Sequence, residues 1–150
     1  GKIVRIGPNL PVPEGARVVR AKFVTPGFVD CWGTVGLAGA LNVRGTDQDA
    51  LDRSGPVQPE VRALDAFNPR EPLVRWVRSR GVTTVLLGFE PGEVVQGTMS
   101  LVKLRDGTAD ACALVPEWGV AAALGPGSLR PSGAPGTRGK QASVLREALL

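Results

Sequence analysis

The short apolar run Phe28–Trp32 carries Trp32 and, two residues on, Thr34, a spacing at which other residue types could do chemistry. On a strand, side chains at i and i+2 point to the same side. Two neutral imidazoles so placed could bind Zn²⁺ or a similar divalent cation at about 2.0–2.1 Å and make hydroxide available near neutral pH. Neither residue can take that part. The indole nitrogen of Trp32 is a donor only, and Thr34 offers one hydroxyl, a poor ligand for a borderline-soft metal. The chain has no histidine elsewhere to replace them. The expectation is no bound metal, no cofactor and no catalytic residue in this chain.

The other reactive residues lead to structural readings. Cys31 and Cys112 are far apart and lack metal-ligand spacing, so both are expected to be buried free thiols. A thiol nucleophile usually needs an imidazole base, which is absent. Asp47, Asp49 and Asp52 form an acidic cluster without the glycine and distal glutamate of a calcium loop, and are expected on a solvated surface. Arg130, Arg138 and Lys140 lie in the Gly/Pro/Ser/Arg tract Gly125–Lys140. Gly139-Lys140 is followed by Gln141, so the phosphate-loop pattern is not met, and a long loop is expected. Trp76 is expected in the core, while Trp118 fits either core or interface.

Composition bounds the class. A chain of 150 residues with 43% apolar and 21% charged residues is about one ordinary globular domain. The net charge of +4 is scattered rather than gathered into a basic arm, and no aromatic stacking pattern accompanies it, which disfavours a nucleic-acid module. No apolar run reaches the roughly 18 residues of a membrane span. No signal-peptide pattern is visible, and the cytoplasm is the default expectation.

The elements that must position these residues are partly legible. Lys2–Ile6 and Ala16–Val24 read as short strands separated by a proline-rich turn, and Phe28–Trp32 as a short buried strand. Asn68 and Pro69 predict the start of a helix whose apolar face is Leu73, Val74, Trp76 and Val77, with Gly81 as its stop. Val82–Phe89 is nearly continuous and β-branched, as in a strand buried on both faces. Val94–Leu104 and Ala111–Val115 predict two more strands joined at Asp106-Gly107. Gln141–Leu150 predicts a final helix. The fold class expected is α/β.

The phrase over residues 24–39, Val-Thr-Pro-Gly-Phe-Val-Asp-Cys-Trp-Gly-Thr-Val-Gly-Leu-Ala-Gly, resembles the opening of the barrel in the metal-dependent amidohydrolases. In that family, Pro-Gly-Phe-Val-Asp-Cys is followed by His-x-His. Further segments are similar in the same order: Pro13–Val19, Gln58–Pro69, which is like the imidazolonepropionase subgroup, Gly81–Val85, Gly97–Lys103 and Arg138–Leu149.

The resemblance implies the start of a small β-sandwich over residues 1–26. Over residues 27–150 it implies the first βα units of an incomplete TIM-like (β/α) barrel, which in full has eight strands in about 250 residues. It makes Trp32 and Thr34 vestigial ligand positions, and implies that Trp32 is buried, its ring filling the space a metal would need. Lys103 does not match the family's ligand strand and is expected to be structural or on the surface. Later strands of the family supply further histidines, a bridging carboxylated lysine or glutamate and an aspartate base, none of which lies in this sequence. An open parallel edge would leave backbone groups unpaired. The resemblance therefore implies a noncatalytic structural or assembly subunit, with a second polypeptide completing the fold. The alternative is the N-terminal part of a metal-dependent hydrolase acting on amide or cyclic-amide C–N bonds, its remaining catalytic residues on a separate chain.

Overall fold

A computed structural model describes residues 2–41, 43 and 48–150. Its centre is a four-stranded mixed sheet in the order β1-β2-β3-β4. The strands are β1 (Phe28–Gly33), β2 (Val82–Leu87), β3 (Val95–Lys103) and β4 (Ala113–Ala122). β1 and β2 run parallel, with residues 34–81 forming the crossover between them. β2, β3 and β4 form an antiparallel meander.

β2 takes a central place, as its β-branched composition predicts. Val85 and Leu87 are fully buried, and Leu86 is half-buried. With Val102 and Leu104 they meet Leu37, Leu64, Phe67 and Val74 from the crossover. The crossover holds two helices, α1 (Ala63–Ala66) and α2 (Pro72–Ser79), packed on β3 and β2. One face of the sheet is thus covered. Gly97 lets the crossover come close to β3. It has φ +119°, and a Cβ there would stand 2.4 Å from the Val61 carbonyl oxygen. That carbonyl accepts the Thr98 N–H at 2.7 Å.

α2 begins later than Asn68-Pro69 predicts. Pro72 disfavours helical backbone at the residue before it, so Glu71 is extended (ψ 130°) and becomes the N-cap. Glu71 Oε1 accepts the Leu73 N–H, while Asn68 Oδ1 closes a local turn onto the Arg70 N–H. Gly81, at φ +97°, ends the helix as expected.

Several expectations are corrected. Lys2–Ile6 and Ala16–Val24 form no strands; residues 2–26 are exposed and hold only turns at 8–9 and 14–15, and a strand needs a hydrogen-bonded neighbour that the described residues do not offer. β1 forms where expected but is exposed rather than buried, because it is an edge strand with neither face covered. β3 and β4 are joined through a short helix, α3 (Ala109–Cys112), not a tight turn at Asp106-Gly107. Thr108 caps it by accepting the Ala111 N–H at 3.2 Å. The Gly125–Lys140 loop ends early, since α4 (Arg138–Leu149) starts at a Thr137 cap. Val144 of α4 packs on Val94 and Val95.

Candidate functional site at the strand ends

The ends of β1 and β2, the start of β3 and the end of β4 lie on one side of the sheet. Here β1 is irregular. Asp30 pairs with Val85 and Gly33 with Leu87, so three steps of β1 match two of β2. The bulge is held locally, with Asp30 Oδ1 accepting the Trp32 N–H at 3.2 Å. Thr34, just beyond the strand, is half-buried and opens a turn, its carbonyl accepting the N–H groups of Leu37 and Ala38. Strict i, i+2 alternation therefore does not describe the Trp32–Thr34 pair.

Trp32 is 40% exposed, which corrects the expectation of a buried ring. Its indole lies over Gly88, where a Cβ would come within 3.5 Å of the ring and 3.2 Å of Met99 Cγ. A larger residue at 88 would displace the indole. What the two positions offer is one indole donor and one hydroxyl. Among the described residues, no group of three or more His, Cys, Asp or Glu is placed to hold a metal ion.

A polar clasp lies beside these strand ends. Glu93, on the loop from β2 to β3, has its side chain 1% exposed. Arg130 Nε donates to Oε2 at 3.1 Å, and its Nη2 stands 2.9 Å from Oε1 as an ion pair without hydrogen-bond geometry. Arg130 Nη2 also donates to the Arg53 carbonyl at 3.1 Å, and Arg53 Nη1 to the Gly92 carbonyl at 3.4 Å. Gln141 Nε2 anchors the start of the same loop by donating to the Gly125 carbonyl at 2.7 Å. Three separate segments are thereby tied together. The sequence holds a signal for Glu93, a lone carboxylate against the apolar Val94-Val95, but none that names its partner.

The remaining candidates are dispersed. Arg130 is engaged with a carboxylate, while Arg138 and Lys140 are exposed on α4. Cys112 is a buried free thiol whose Sγ donates to the Arg105 carbonyl. Cys31 is free but exposed, because β1 is uncovered. Lys103 is exposed at the end of β3, as expected of a surface lysine. Asp49 and Asp52 are exposed, and Asp47 lies outside the described residues. The Asp52 carboxyl is held below its usual range chiefly because it accepts from the Ser54 hydroxyl and then from the Ser54 N–H. Trp118 is exposed on β4. Trp76 is 55% exposed on α2, contrary to the core position expected of it: Val74 points inward while Trp76 lies on the outer face.

No protein-family model matches the chain. A curated relative, amidohydrolase tasK of Hapsidospora irregularis, is 28% identical over 115 residues, covering 73% of this chain and 12% of that protein. The crystal structure of an amidohydrolase from Thermotoga maritima MSB8 superposes with a TM-score of 0.85 at 30% identity. The match covers 97% of this chain and 39% of that one. The chain thus spans about an eighth of the first relative and two-fifths of the second. The four-stranded α/β unit is an amidohydrolase-like fold, corresponding to part of the longer solved chain.

Proposed function

We propose that this segment is a noncatalytic structural part of an amidohydrolase-like barrel, completed by further polypeptide that covers β1. The observation that carries this reading is surface area. The chain exposes 10390 Å². A closed monomer of 15.7 kDa should expose only about 7,300 Å², from the scaling of folded surface with mass. Much of the excess is apolar. Phe28 and Val29 on β1 are 63% and 64% exposed, and Phe23 and Val24 just before it more so. On this reading residues 1–26 are β-sandwich strands that pair once their neighbours arrive, and residues 27–150 are barrel. Trp32 and Thr34 stand at the vestigial ligand positions, where their chemistry does not suit a metal, so the role of the segment is to build the assembly.

The amidohydrolase relatives favour a second reading, in which the segment opens a metal-dependent hydrolase of C–N bonds whose catalytic residues lie elsewhere. One experiment separates the two: mass photometry and elemental analysis of the protein from its native source. A larger species without stoichiometric zinc is the expected result. Zinc that survives dialysis, together with hydrolysis of amide or cyclic-amide substrates, would favour the hydrolase. A compact, cooperatively unfolding 150-residue monomer would overturn the need for a completing chain.

A further inference from the structure

On the far side of α2 from the core lies an open groove of about 820 Å³, bounded by Arg70, Arg75, Trp76 and the turn at Asp106-Gly107. Its charges are unevenly committed. The Glu71 carboxylate caps α2 and also accepts the Ala40 N–H at 3.0 Å. Asp106 is paired with Arg78 at 3.4 Å. The guanidinium groups of Arg70 and Arg75 are exposed, with no hydrogen bond or ion pair among the described residues. In the same groove Trp76 offers an apolar ring, one face of which carries the Arg80 guanidinium at 5.1 Å.

We propose that this groove binds an acidic peptide segment of another protein, its carboxylates on Arg70 and Arg75 and an apolar side chain on Trp76. Two free guanidinium forks match carboxylates bidentately, and an exposed tryptophan between arginines has the composition of an interface hot spot. A nucleic-acid strand fits less well, since it needs a continued row of cations and the groove offers two.

The test is fluorescence anisotropy of the purified protein with a labelled peptide of alternating Glu and Leu, its Gln-for-Glu counterpart and an oligouridine. Salt-sensitive binding of the acidic peptide alone is expected. Arg70→Gln and Arg75→Gln should each weaken it about tenfold, the scale of one charge-assisted hydrogen bond. The double reversal Arg70→Glu/Arg75→Glu should abolish it and instead bind a Lys/Leu peptide. That gain of affinity also establishes that the variant is folded. Absence of acidic-peptide binding, equal binding of the Gln peptide, unchanged affinity in the Arg variants or preference for oligouridine would each overturn the proposal.

Discussion

Glu93 and Arg130, thirty-seven residues apart, meet as a two-pronged ion pair with the carboxylate sealed from solvent and the guanidinium partly open to it. The pair fastens the loop before α4 to the loop that leads into β3. A buried carboxylate that loses its cation keeps the desolvation cost without the attraction that offset it.

Removing the two partners should therefore have unequal effects. Arg130→Ala strands a buried charge and should cost about 3 kcal/mol, the lower end for a broken buried pair, given that Arg130 is partly exposed. Glu93→Gln removes the charge itself and should cost less. Urea denaturation of the assembled protein checks this, and equal losses would mean that the pair is not the fastening.

Trp32 should change its surroundings on assembly. In the chain alone the half-exposed indole should be quenched readily by acrylamide in a Trp76→Phe/Trp118→Phe background, and Trp32→Ala should cost about 1 kcal/mol, well under the ~3–5 kcal/mol of a buried tryptophan. Once β1 is covered, quenching should fall. Quenching that is equally strong in both states would leave Trp32 outside the completed barrel.

The edge of β1 should govern self-association. Unpaired apolar edge strands template pairing with other chains, and a lysine on the edge blunts this. Val29→Lys should reduce concentration-dependent association of the isolated chain in sedimentation velocity. An unchanged sedimentation profile would place the sticky surface elsewhere.

Asp52 gives a pH-dependent contribution of known sign. Its carboxyl is held below the usual 3.8 by the Ser54 bonds, so the ionised form is favoured by folding. The contribution is fully present above 3.8 and is lost as the pH falls through the lower folded value. Because the carboxylate is exposed, the effect on global stability should be small. An NMR titration should find Asp52 low in the native protein, and Ser54→Ala should bring it back toward 3.8. No movement in that variant would assign the depression to another cause.

What could be read from the sequence was whatever the backbone decides locally. The β-branched run at Val82–Phe89 became the central strand, and Gly81, free to adopt φ +97°, ended α2. Even the misplaced start of that helix has a local cause, Pro72 holding Glu71 extended. What was hidden depends on distant chain. Trp76 has an apolar side chain at helical spacing, yet the helix turns Val74 inward and leaves the indole outside. Arg130 carried a charge visible in the sequence, but its partner lies on a different loop. Of the candidate site, the order of residues around Trp32 and Thr34 was legible. The Asp30-held bulge over Asp30–Gly33 was not, because it arises from the register of β1 against β2.

The parallel pairing of β1 with β2 also fixes an order of events during biosynthesis. β1 is translated first, yet its hydrogen-bonding neighbour appears only after residues 34–81 have been made. The β2-β3-β4 meander pairs over shorter sequence distances than β1 does with β2. The ribosome thus delivers the strands in one order and the sheet collects them in another, β1 joining a meander made after it. Throughout that interval Phe28, Val29 and Trp32 travel unpaired on the nascent chain, the kind of segment that chaperones hold.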